Sequence, residues 1–159
     1  MRSYEEPRVN VRTMDEWEFP RVCREVFAVG GRLPLRVTGA SMRPFLQEGR
    51  DTVVLCAPPE KLRRGDVVLF SRPGGKLVLH RIIHRKKEGL YITGDNQTAL
   101  EGPVPVAAVL GLVCQVQRGS RVLGPRSLEW QFYEKVWRWL RPVRPWVRGA
   151  LRRLKGNSR

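Results

Sequence analysis

Cysteine, histidine and acidic residues are all scarce in this 159-residue chain, and each scarcity closes off a class of protein. The three cysteines, Cys23, Cys56 and Cys114, are odd in number and widely spaced, without a C-x-x-C pair. That pattern supports neither a disulfide framework nor a structural zinc site. No metal and no cofactor is implied. Long apolar runs are missing as well. A membrane-spanning helix needs about 20 mostly apolar residues, whereas the run Val104 to Cys114 reaches only eleven and contains Pro105 and Gly111. The first twenty residues hold Glu5, Glu6, Asp15, Glu16 and Glu18, which a secretory signal peptide does not tolerate. The expected location is the cytoplasm, or a peripheral position on the cytoplasmic face of a membrane.

What is abundant is positive charge. Lys plus Arg number 30 against 15 for Asp plus Glu, giving a net charge of +15. Such a balance favours a polyanionic partner, either nucleic acid or anionic lipid headgroups. No helix-turn-helix, zinc finger or RNA-recognition motif is evident, so nucleic acid is the weaker of the two. With 42% hydrophobic and 28% charged residues, the chain has the composition of one folded domain with a short appendage.

Three sections follow one another. Residues 1–32 form an N-terminal arm and a helix, predicted over Asp15 to Val29 or starting nearer Pro20, with Trp17, Val22, Val26 and Val29 as its apolar stripe. Residues 33–123 break into short runs rich in Val, Leu and Ile, at 33–39, 51–57, 66–72, 76–85, 90–94 and 106–118, separated by turn residues. Strands so spaced, without helices between them, predict a mainly β domain, a barrel or coiled sheet. Residues 124–159 form a basic tail. Between 118 and 159 there are twelve Lys/Arg against Glu129 and Glu134, a net +10, together with Trp130, Trp137, Trp139 and Trp146. Apolar residues recur there at near-helical spacing, with Pro142 and Pro145 dividing the pattern. Three readings of the tail stand: an amphipathic helix packed on the β domain, an anchor at an anionic membrane surface, or a nucleic-acid contact.

The stretch with most chemical content is Val37-Thr-Gly39-Ala40-Ser41-Met42-Arg-Pro44. A serine on a turn after a strand is held exposed by its backbone, as a nucleophile must be. Serine also favours such turns for structural reasons alone. Downstream come Arg64-Gly65-Asp66-Val67-Val68-Leu69-Phe70, then Leu77-Val-Leu-His80-Arg81, then Gly94-Asp95-Asn96. In this order the blocks resemble the type I signal peptidases and their relatives, the S24/S26 serine peptidases, over about Leu33 to Val113. The resemblance implies a signal peptidase/LexA-like coiled β-sheet barrel. It also implies a serine endopeptidase that cleaves a precursor peptide or protein after small residues.

By the same resemblance Ser41 is the nucleophile and His80 the general base, as in the endoplasmic-reticulum and archaeal branch, where histidine replaces the lysine of most bacterial members. Asp95 matches the acid that orients the histidine, although Gly-Asp-Asn is also a good turn. Glu101 occupies the neighbourhood of a further family acid and reads as a solvated loop carboxylate. His84 would share a face with His80 on a regular strand. Gly39, Ala40 and Met42 shape the nucleophile loop, and the Ser41 N–H is the expected oxyanion donor. A base of ordinary histidine pKa would make activity rise near pH 6–7. A second class of function stays open: a non-catalytic module of the same fold that docks to membrane or nucleic acid through its tail.

Overall fold

The computed structural model describes residues 17–137, together with 139 and 143. One helix, α1 (Phe19–Ala28), leads into an eight-stranded antiparallel sheet. Its strands are β1 (Leu33–Arg36), β2 (Asp51–Cys56), β3 (Val67–Ser71), β4 (Leu77–Lys86), β5 (Gly89–Thr93), β6 (Glu101–Val104), β7 (Val109–Arg118) and β8 (Arg121–Leu123). They lie in the order β1-β2-β7-β3-β4-β5-β6, with β8 paired to β7. A short helix α2 (Leu128–Gln131) continues as a π-helical turn, Phe132–Trp137. The mainly β architecture expected from the strand spacing is therefore present. Glu101–Val104 and Arg121–Leu123, which no apolar run announces, are further strands.

Helix α1 starts at Phe19 with Pro20 in its first turn, where a missing N–H costs nothing. Asp15 lies outside the described residues. The expected stripe holds at Val22 and Val26, which pack against the core, and needs correcting elsewhere: Phe19 and Cys23 are the buried positions, while Trp17 and Val29 are 74% and 84% exposed. Residues 19, 23, 26 and 27 follow the three-to-four spacing of a helix face, and Trp17 precedes the helix.

Side chains alternate across β3, so the sheet carries a core on each face. Val67 and Leu69 join Phe45, Leu46, Val53, Leu55, Val113 and Val116 on one side. Val68 and Phe70 join Ile82, Leu90, Ile92 and Val104 on the other. The start of the tail belongs to the first core. Ser127 caps α2 by accepting from the Trp130 N–H, and Trp130, 4% exposed, meets the Phe45 ring edge-on at 5.4 Å between centroids. Tyr133 packs on the same ring at 5.1 Å. Most of the tail beyond Trp137, including Trp146, lies outside the described residues. Replacing Trp130 by Ala should lower unfolding stability by about 3–5 kcal/mol, the usual cost of emptying a large aromatic site. Urea denaturation followed by circular dichroism measures it.

Candidate active site

The loop after β1 is built to present residues 39–41 at the surface. Gly39 takes φ +75, a left-handed turn open to glycine, and its N–H donates to a Glu48 carboxylate oxygen at 3.1 Å. Met42, Phe45 and Leu46 turn inward and are buried, leaving Gly39 and Ala40 exposed and Ser41 half-buried. Below them the Phe45 carbonyl accepts from Arg50 at 2.9 Å and from Arg118 at 2.8 Å. Both guanidiniums also grip the buried Asp51 carboxylate. Burial alone would raise the pKa of Asp51, but the hydrogen bonds from Arg50, Arg118 and the Gln47 N–H outweigh it and hold the group below its usual value.

The opposite side of this loop rests on the turn after β5. The Ser41 carbonyl accepts from the Asn96 N–H at 2.7 Å, and the Ala40 carbonyl from Asn96 Nδ2 at 3.0 Å. Ser41 comes so close to Gly94 that a Cβ there would collide with its carbonyl. Glycine at 94 is thus a requirement of close approach.

Asp95 is held by a buried arginine. Its two carboxylate oxygens accept from Arg81 Nε at 2.8 Å and Nη2 at 2.7 Å, and both residues are buried. Arg81 also donates to the Gly65 carbonyl at 2.9 Å and stacks 5.1 Å from the Phe45 ring centroid. The pairing is fork-shaped and bidentate, one N–H to each carboxylate oxygen. Asp95 acts on His80 as a nearby charge that favours its protonated form.

His80 lies opposite Val68 on β3, 2% exposed and beside Phe70, whose ring centroid is 6.1 Å away. It lines a cleft of about 430 Å³ together with Arg72, Thr93, Asn96, Gln97 and Glu101. Ser41 is outside that lining, tied by its carbonyl to Asn96, which is part of it. Glu101 is not a free loop carboxylate. It pairs with Arg72 through two contacts, at 2.8 and 2.6 Å, and places Oε2 3.9 Å from His80 Nδ1. Burial, and then the positive charge of Arg72, press the His80 pKa down to about 4 against the pull of Glu101 and Asp95. The ordinary value assumed from sequence is therefore displaced. The imidazole is neutral at pH 7 and able to accept a proton.

His84 does not join it. The β4–β5 register shifts between Ile82 and His84, so that Ile82 faces Ile92 while His84 faces Tyr91. The extra residue reverses the alternation and leaves His84 exposed on the other face. Arg81, Arg72 and Glu101 are the residues that sequence reasoning left without a role. Arg81 had a signal, a charge within an otherwise apolar strand that must find a partner. Arg72 and Glu101 are 29 positions apart, and nothing in their local patterns joins them.

The family model described as Peptidase S24-like matches residues 24–114, more than half of the chain, and the chain belongs to that family. Signal peptidase I V of Bacillus subtilis (strain 168) is 31% identical over 96 residues, covering 59% of this chain and 56% of that relative. The chain thus matches a little over half the length of that relative. No solved structure matches it. Among the described residues, no helix is long and apolar enough to cross a membrane.

In an NMR titration the His80 imidazole should protonate with a midpoint near 4. Arg72→Gln should raise the midpoint by removing a positive charge and releasing Glu101, and Glu101→Gln should lower it further. Because the folded value lies below the ordinary 6.5, the unfolded chain binds more protons between pH 6.5 and 4, and stability should fall as pH drops through that window.

Proposed function

We propose that the protein is a serine endopeptidase in which Ser41 is the nucleophile and His80 the general base. Ser41 Oγ attacks the scissile carbonyl carbon as its proton passes to His80. The tetrahedral intermediate collapses, and His80 returns the proton to the departing amine, leaving an ester on Ser41. Water, deprotonated by His80, then hydrolyses that ester and frees the acid product. The Ser41 N–H is the proposed oxyanion donor, within the loop formed by Gly39, Ala40 and Met42. Asp95 supports the reaction in two ways: it holds the turn on which the Ser41 loop sits, and its charge favours the imidazolium.

The observation that carries this reading is the docking of the Ser41 and Ala40 carbonyls on Asn96, in the wall of the cleft that contains His80. The likeness to a signal peptidase supports a precursor peptide as substrate, and the resemblance of the Ser41, His80 and Asp95 blocks implies a cut after a small residue such as alanine. Purified protein incubated with Ala-x-Ala precursor peptides should give cleavage products by mass spectrometry. Ser41→Ala should lose at least about 10³-fold in rate. Cleavage that survives this substitution rules out the nucleophile. The acid limb of kcat/KM, which reports the free enzyme, should lie near pH 4 rather than 6–7.

A specific observation also favours a membrane-docking role for the tail. Leu128, Phe132, Val136, Trp139 and Val143 follow helical spacing and are all exposed, from 42% to 86%. An apolar row within a segment of net charge +10 suits an anionic headgroup region, on whichever face of the membrane it meets. Deleting residues 138–159 keeps Trp130 and Tyr133 in the core. Binding to vesicles containing phosphatidylglycerol should be strong for the full chain, weaken with salt, and be lost on this deletion. Equal binding to neutral vesicles would exclude the electrostatic part.

A further inference from the structure

Nδ1 of His80 is buried without a hydrogen-bond partner among the described residues, although a carboxylate stands beside it. A general base that accepts a proton on Nε2 carries its other proton on Nδ1, and leaving that donor unpaired in the interior is costly. The oxygen that faces it, Glu101 Oε2 at 3.9 Å, is the one gripped by Arg72 Nη2 at 2.6 Å. Arg72 therefore competes with His80 for the same carboxylate oxygen. A shift of about 1 Å would bring Oε2 to the range of a charge-assisted bond.

Arg72 and Glu101 are about one-third exposed, at 33% and 32%, so a ligand can reach them. They line the His80 cleft and also a second cleft of about 260 Å³, whose other walls include Phe70, Pro103 and Pro105. The ion pair is the partition between the two. A peptide running from one cleft to the other crosses it.

We propose that Arg72 is the receptor for a carboxylate on the peptide substrate, and that engaging it releases Glu101 to accept the Nδ1–H of His80. This inference rests on the reading of His80 as the base. Glu101 is then a positioning residue, Arg72 determines specificity, and the substrate class is an acidic peptide. The electrostatics run in the required direction. At rest Arg72 opposes a positive imidazole, and the Arg72–Glu101 pair is neutral overall. A bound carboxylate leaves the group with one excess negative charge, which the imidazolium formed during attack cancels. The net charge of +15 attracts such peptides in any case.

The test uses the full-length Ser41→Ala protein, which binds without turnover. Ala-x-Ala peptides carry one glutamate at successive positions around the scissile bond, each paired with its glutamine counterpart. At one position glutamate should tighten binding by about 10-fold, the worth of a charge-assisted bond. It should also move the His80 Nδ1–H resonance downfield. Arg72→Gln in the same background should erase both differences between the paired peptides. No position favouring glutamate, or a preference that survives Arg72→Gln, overturns the proposal. Wild-type cleavage of the same peptides is read separately. A glutamate preference in binding without cleavage would leave the Arg72 receptor standing and refute the base assignment, and with it the role given to Glu101.

Discussion

The site depends on one buried ion pair. Arg81 and Asp95 bond through both carboxylate oxygens where neither is reachable by water. Burying two charges is expensive, and such a pair adds little net stability compared with apolar residues of the same volume. Its effect is positional. Asp95 sits in the turn that carries Asn96, and Asn96 holds the backbone of Ala40 and Ser41. Arg81 spans the other way to the Gly65 carbonyl and the Phe45 ring. Losing either partner would leave an unpaired interior charge, at a cost of roughly 3–5 kcal/mol, and would release the turn on which the serine loop rests.

The carboxylates around His80 divide between two tasks that one residue performs in a simple triad. Asp95 pairs with Arg81 and acts on His80 through its charge. Glu101 faces Nδ1 but is committed to Arg72. Burial adds to the effect, because a desolvated imidazole resists positive charge, which the proposed mechanism would have it carry. The resting histidine is thus ready to accept a proton in the sense of being neutral, and poorly supported once it has done so. A lysine at position 80 would meet the same burial with a stronger intrinsic basicity, which is why burial suits a lysine base and leaves a histidine base in need of a partner.

Much of this was legible in sequence, and what was not has physical reasons. The blocks around Ser41, Val67, His80 and Asp95 could be read because turn residues and apolar strands leave local patterns. Glu101–Val104 could not, since Gly102 and Pro103 disguise a strand that exists only by pairing with β5. Strict alternation puts His84 on the face of His80, and a single bulge undoes that placement. The partner of Asp95 was adjacent in sequence to the residue it was expected to orient. Position 81 points to the opposite face of β4, so one step along the strand changed its role. Propensity does not report which of two neighbouring polar residues a carboxylate will meet.

Phe45 ties these elements to the C-terminal segment. Its ring receives Arg81 on one side and packs against Trp130 and Tyr133 on others. Its carbonyl is held by Arg50 and Arg118, and Arg118 also pairs with Glu129 of α2. Phe45 lies four residues after Ser41 in the same loop. The start of the basic segment therefore bears directly on the loop that carries Ser41, through ring contacts and a guanidinium shared with Asp51. Whatever the distal part of that segment binds, a displacement carried back to Trp130 would have to be absorbed by a close-packed core, and Phe45, which Trp130 touches, belongs to the loop that carries Ser41.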